Sequence, residues 1–151
     1  MIKLPAFICD VDGTLADHEG IRGHFEYEKV SLDRPIRPVI KVVKLLVSTG
    51  ELNVVLVSGR MDSGNCRRDT LSWLSDNLFP IYDDELFMRS ATLPDGKPDY
   101  RPDYIVKEEI YRRDIEPKYD VKFAIDDRPA VIRLWRSLGI TTFAVGDLTE
   151  F

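Results

Sequence analysis

Short runs of consecutive apolar residues recur along the chain at positions 6–9, 54–57, 86–88, 121–125 and 142–145. Each is brief and rich in β-branched or aromatic side chains, which predicts strands covered on both faces. Between them the apolar spacing lengthens to that of one helix face: Ile36, Val39, Ile40, Val43 and Val47; then Leu71, Leu74 and Leu78; then Val131, Leu134, Trp135 and Leu138. Pro35 and Pro38 suit the start of the first helix and Gly50 its end, while Pro129 opens the last helix and Gly139 closes it. A further helix is predicted over 104–113. Strand and helix in alternation predict an α/β fold, a three-layer Rossmann-like parallel sheet with helices on both faces. Residues 16–34 and 89–103 lack strong periodicity. Each is too short to fold independently, so no large cap domain is expected and residues 1–151 read as a single domain. Trp73 and Trp135 fall within helical patterns and are expected to pack there rather than to act as stacking platforms.

Composition narrows the picture. The chain is 44% hydrophobic and 31% charged, the balance of an ordinary globule. No apolar run approaches the roughly 20 residues needed to cross a bilayer, and no secretory signal is evident at the start. The expectation is no membrane partner and a cytoplasmic location (the host's cytoplasm if the chain is phage-encoded). Cys9 and Cys66 do not make a disulfide framework, and Cys9 lies in an apolar run as a buried thiol would. With only His18 and His24, a zinc site or a serine–histidine triad has little to draw on. A net charge of −5 argues against a broad polyanion-binding face. The arginines are nevertheless clustered, at Arg67-Arg68, at Arg112-Arg113, and as Arg22 and Arg60 beside the motifs below. A local patch is enough to grip one or two phosphates.

The strongest chemical signal is Phe7-Ile8-Cys9-Asp10-Val11-Asp12-Gly13-Thr14-Leu15. An apolar strand leads into two carboxylates at i and i+2, then a glycine that permits a sharp turn and close approach. In an open parallel sheet, ligands bind at the carboxyl ends of the strands, where these acids fall. Ser58-Gly59-Arg60, Lys107 and Asp126-Asp127 follow in order, each at a strand end or helix start. Taken singly, Asp126-Asp127 and Asp103 would also serve as helix caps, Lys107 as part of a solvated helix face and Arg22 as a loop charge. The ordered set is what points to a site.

This order, DxDGT, then Ser, Lys and DD, resembles the haloacid dehalogenase superfamily of aspartate-nucleophile phosphatases, over nearly the whole chain. More narrowly, Asp10 to Ala16, Val57 to Arg60, Val106 to Ile110 and Ala124 to Arg128 resemble the 3′-phosphatase domain of phage-type polynucleotide kinase/phosphatases. The resemblance implies that Asp10 attacks phosphorus and forms an aspartyl phosphate. It implies that Asp12, its proton held by nearby negative charge, protonates the leaving group and then acts as base on water. Ser58 would donate to the transferring phosphate, and Lys107 would offer it positive charge and orient Asp10. Mg²⁺ would sit on Asp10, the Asp12 backbone carbonyl and Asp127, with Asp126 in support. Arg22, Arg60 and Asp103 match the family's substrate-binding positions, Arg22 only after a shift in loop length. The chain departs from the bifunctional family in having no G-x-x-x-x-G-K-[ST] phosphate loop. A phosphatase domain without its kinase half is expected, with a separate kinase or ligase as a possible partner.

Three functions compete at this point. A polynucleotide 3′-phosphatase would act on 3′-phosphorylated ends of DNA or RNA. A small-molecule phosphatase such as a nucleotidase would use the same chemistry, commonly under an inserted lid. A catalytically dead binding module could keep the scaffold alone. The short irregular stretches favour an open site and a polymer end, and the retained Asp10, Asp12, Lys107 and Asp127 argue against a dead module.

Overall fold

A computed structural model of the chain describes residues 2–149. It opens with β1 (Leu4–Asp10), followed by a ribbon of β2 (Ala16–Asp17) and β3 (Arg34–Pro35) that encloses a 3-10 turn at Tyr27–Leu32. Next come α1 (Arg37–Ser48), β4 (Asn53–Asp62), α2 (Cys66–Asn77), β5 (Leu86–Ser90) and α3 (Asp103–Ile110). The chain closes with β6 (Tyr119–Asp126), α4 (Pro129–Ser137) and β7 (Thr142–Ala144). Five strands form one sheet in the order β5-β4-β1-β6-β7, every neighbouring pair parallel. From β1 the chain builds outward through β4 and β5, then crosses back to β6 on the other side. β1 therefore lies at the switch point where open α/β sheets bind their ligands.

Both sheet faces are covered, as the unbroken apolar runs require. Phe7, Cys9 and Leu56 pack on one side with Ile40 and Val43 of α1 and Trp73 and Leu74 of α2. Ala6, Ile8, Val55 and Val57 pack on the other with Val106 and Ile110 of α3 and Val131 and Trp135 of α4. Both tryptophans and both cysteines are core residues; for Cys9 the apolar run anticipated this.

Two elements differ from the sequence expectation. β4 runs ten residues rather than four. Its pairing with β5 steps from Ser58↔Met88 to Met61↔Arg89, leaving Gly59 and Arg60 as an extra pair of residues. That bulge bends the strand and re-aims its side chains, a common device beside active sites. The helix expected over 104–113 begins at Asp103 and passes at Tyr111–Ile115 into a π-helical turn. This wider turn carries Ile115 into the core, and Tyr111 meets Trp135 edge-on at 6.1 Å. The irregular stretches form the β2–β3 ribbon with its turn and a loop between β5 and α3. Neither builds a cap domain.

Candidate active site

The carboxyl ends of β1 and β6 bring three acids together. Asp10 closes β1, Asp126 closes β6 and Asp127 follows it. Carboxylate oxygens of Asp10, Asp126 and Asp127 all lie within 4.8 Å of one another. Between two of them stands Lys107, on α3 and only 2% exposed. Its Nζ donates to Asp10 Oδ1 at 2.6 Å and to Asp126 Oδ2 at 3.1 Å. The Thr14 hydroxyl donates to Asp10 Oδ2 at 2.9 Å, so both oxygens of that carboxyl are oriented. Asp126 accepts the backbone N–H groups of Asp127 and Arg128 on Oδ1 and the Trp135 indole N–H on Oδ2. Its lone pairs are largely committed to holding the turn into α4.

Gly13 is the hinge that lets this happen. Its φ is +81°, the left-handed region that suits glycine, and a Cβ there would collide with the Asp127 carboxylate. The electrostatics follow from burial. Desolvation, with Asp126 adding to it, pushes the Asp10 carboxyl well above the usual carboxylate range, while Lys107 pulls the other way. Desolvation also raises Asp127, although a hydrogen bond to Asp10 acts in the opposite sense. Burial by itself would discharge Lys107, but Asp10 and Asp126 outweigh it and keep the ammonium protonated.

Asp12 belongs to a different cluster. Its carboxyl is held by Arg60, with Nη2 donating at 2.7 Å and Nε at 3.1 and 3.2 Å, and by Arg22 Nη2 at 3.1 Å. Asp33 lies behind both arginines, accepting from Arg22 Nε at 2.8 Å and from Arg60 Nη2 at 2.9 Å. Thr70 accepts a further bond from Arg60 Nη1 at 2.8 Å. Both arginine side chains are fully buried, whereas the Asp12 carboxyl remains 17% exposed. Burial alone would raise the Asp12 carboxyl, yet the Arg60 and Arg22 guanidiniums bring it below the ordinary carboxylate value.

Asp103 completes the rim. It opens α3, accepts from Arg89 Nη2, and accepts from Arg128 Nη1 at 2.7 Å. It also backs onto the bulge: a Cβ on Gly59 would stand 2.6 Å from an Asp103 oxygen, so the Ser58-Gly59-Arg60 segment has room only for glycine at its centre. The acids and Lys107 enclose a niche of about 20 Å³ with Asp12, Arg60 and Arg128 on its walls. That is room for an ion or a water rather than for an organic molecule.

An acid-ended parallel sheet with a lysine between its carboxylates invites comparison with known proteins. Residues 4–149 match the family described as the polynucleotide kinase PNKP phosphatase domain. This chain belongs to that family. It is accordingly a phosphatase, a hydrolase of the haloacid dehalogenase type. A protein of Autographa californica nuclear polyhedrosis virus, named for bifunctional polynucleotide kinase/RNA ligase activity, is 34% identical over 142 residues, covering 93% of this chain and 19% of its own. Two solved structures are also similar. A chain of a Pnkp1/Rnl/Hen1 complex superposes over all of this chain with a TM-score of 0.79 at 33% identity, and 48% of that chain is covered. A chain of the Pnkp1/Rnl/Hen1 RNA repair complex superposes over 95% of this chain with a TM-score of 0.77 at 34% identity, 44% of it being covered. This chain thus spans about a fifth of the viral relative and under half of each structural neighbour.

Within this phosphatase domain the structure gathers Asp10, Lys107, Asp126 and Asp127 into one cluster and Asp12, Arg22 and Arg60 into another beside it. One expectation changes. Asp12 does not have its proton held by negative charge, because two arginines surround it and favour the ionised form. Arg22 and Arg60, expected to bind substrate, are held by Asp12 and Asp33, and Arg60 also lines the niche. Ser58 is fully buried, and the contact shown for its Oγ is acceptance of the Arg60 N–H at 3.1 Å, which shapes the bulge. Asp33, Thr70, Arg89 and Arg128 went unmarked in the sequence reading. Arg128 carried a signal, since it directly follows Asp126-Asp127. Asp33 carried none.

Asp33 is the shared counter-charge of two buried guanidiniums. Asp33→Ala is expected to destabilise the protein by about 3–5 kcal/mol, the usual cost of breaking a buried ion pair on one side. A urea denaturation curve checks this; a loss below about 0.5 kcal/mol, the range of an ordinary surface change, would show that the network carries no such weight.

Proposed function

We propose that this phosphatase domain removes the 3′-phosphate from nucleic-acid ends through a covalent phosphoryl-Asp10 intermediate with Mg²⁺ as cofactor. The observation that carries the reading is Asp10: both of its oxygens are oriented by Lys107 and Thr14 at the floor of a niche whose wall holds a second, more exposed carboxyl, Asp12. In the first step an Asp10 oxygen bonds to phosphorus as the bond from phosphorus to the leaving oxygen breaks, and Asp12 supplies the proton to that oxygen. In the second, Asp12 takes a proton from water, the water oxygen bonds to phosphorus, and inorganic phosphate departs from a regenerated Asp10. The ionised resting state of Asp12 suits the base duty. The arriving phosphate's negative charge acts in the opposite direction, toward the protonated form that the first step needs. Arg22 and Arg60 then serve as positioning residues that hold Asp12. Lys107, which lines the niche, would meet the charge that develops on the phosphoryl group, and Ser58 would add a hydroxyl donor to it.

The donor set fits a hard divalent cation. Asp10, Asp126 and Asp127 offer only oxygen, and among the described residues no histidine or cysteine joins the group. Three carboxylates against one ammonium leave two negative charges uncompensated in a buried niche, which one divalent ion would balance. Asp10 and Asp127, with the Asp12 backbone carbonyl, would hold Mg²⁺, and Asp126 would support them. When bound, the ion would neutralise the meeting of a phosphate with two carboxylates.

Support for nucleic-acid ends comes from the family itself and from relatives named for polynucleotide kinase, RNA ligase and RNA repair. A kinase or ligase on another chain or segment is the natural partner. Among the described residues no cap domain is built over the niche, which suits a polymer end better than a small molecule. The deciding experiment is phosphate release from 3′-phosphorylated DNA and RNA oligomers, 5′-phosphorylated oligomers and mononucleotides. The 3′-phosphorylated oligomers are expected to give the highest kcat/KM; mononucleotides matching them would hand the site to a nucleotidase. Asp10→Asn is expected to abolish turnover with the fold retained, because an amide is no nucleophile, and a variant keeping a tenth of the wild-type rate would remove Asp10 from that role. Activity should cease in excess chelator and return with Mg²⁺ more fully than with Zn²⁺. Full turnover in chelator would exclude the metal.

A further inference from the structure

Beside the catalytic niche lies a second groove of about 170 Å³. The two share His24, Tyr27, Gly59, Asp103 and Arg128 as wall residues, so they lie side by side. The outer groove is aromatic. His24 and Phe25 meet edge-on at 4.9 Å, Phe25 and Tyr27 at 6.5 Å, and Tyr100 lines the same groove. Phe25 is 70% exposed and Tyr100 75%. Neither belongs to the hydrophobic clusters that hold the sheet, so core packing does not account for them. They sit on separate segments, Phe25 in the insert between β2 and β3 and Tyr100 in the loop before α3, yet both face one groove.

The charges around it decide what that groove can take. Arg89 donates to the carbonyl oxygens of Gly59, Asp99 and Arg101 and to Asp103. Arg101 is bonded to Asp99 and Glu109. These guanidiniums build the wall and are matched by acids, so they offer a phosphodiester little net attraction. What the groove offers instead is flat π surface. Its volume lies below the roughly 300–1,000 Å³ of pockets that hold drug-sized ligands, room for a planar ring system.

We propose that this groove is a stacking subsite for the nucleobase of the nucleotide that carries the phosphate, with Phe25 and Tyr100 as its platforms. The proposal rests on the 3′-end reading above and adds that the end is recognised by its base, without base identity, because every base presents a π face. An unpaired terminal nucleotide is therefore required.

The test compares two single-stranded 3′-phosphorylated oligomers that differ only in whether the terminal nucleotide has a base or is abasic. Base–aromatic stacking is worth about 1–3 kcal/mol, so wild type should favour the base-bearing end by roughly 5- to 150-fold in kcat/KM, mainly through KM. Phe25→Ala and Tyr100→Ala should each pull that ratio toward one, and Phe25→Trp should restore it where Phe25→Leu does not. Equal efficiency of wild type on both oligomers, which needs no variant, would overturn the subsite while leaving the 3′-phosphatase reading intact. So would an undiminished ratio in both alanine variants. Failure of wild type to dephosphorylate any 3′-end would overturn both.

Discussion

Lys107 is the residue on which the site's electrostatics turn. Three carboxylates cannot share a buried niche at the end of a parallel sheet without a cation, since taking each from water is costly and their mutual repulsion adds to the cost. A single ammonium between Asp10 and Asp126 lowers that penalty and fixes the direction in which the Asp10 oxygens point. Lysine suits the position because its charge is compact and its stem can run through the core between α3 and the sheet. The pair is separated by 97 residues in sequence. It exists only because β1 and β6 are neighbours and α3 packs on the same face of the sheet.

The second cluster follows the same rule with the opposite sign. Two arginines surround Asp12, and Asp33 supplies the acid they would otherwise lack. This arrangement ties the β2–β3 insert to the sheet. Trp73 of α2 reinforces the tie by donating its indole N–H to the Asp33 carbonyl at 2.8 Å. The bulge in β4 places Arg60 where it reaches both acids. The two candidate catalytic carboxyls, though only two positions apart in sequence, thus experience different fields: Asp10 sits among acids with one lysine, and Asp12 sits under two guanidiniums. A difference of that kind is what lets neighbouring acids take different parts in one reaction.

Openness above the site is a third consequence of the architecture. The insert between β2 and β3 and the loop before α3 are long enough to wall a groove and too short to close over it. Arg22 and Arg101 are neutralised by the acids that brace them, and Phe25 and Tyr100 are left facing solvent. The fold thereby sets a charged floor beside a groove whose exposed faces include the rings of Phe25 and Tyr100.

Much of this was legible in the chain itself. The parallel α/β layering followed from apolar runs without alternation, because strands covered on both faces have no polar side to show. Asp10, Asp12, Asp126 and Asp127 stood out because each lies directly at a strand end, a relation between neighbours in sequence. Lys107 could be placed in order but not in contact. The partners of Arg22 and Arg60 were not legible, since a guanidinium in a loop looks the same in sequence whether it faces substrate or a buried acid such as Asp33, 27 residues from Arg60. Nor was the β4 bulge, which depends on register against β5 and leaves no periodic trace. Local chemistry and element type were properties of the sequence alone. Which charge neutralises which was decided only when the strands took their places, because ion pairing depends on distance in space, and distance along the chain carries almost no information about it.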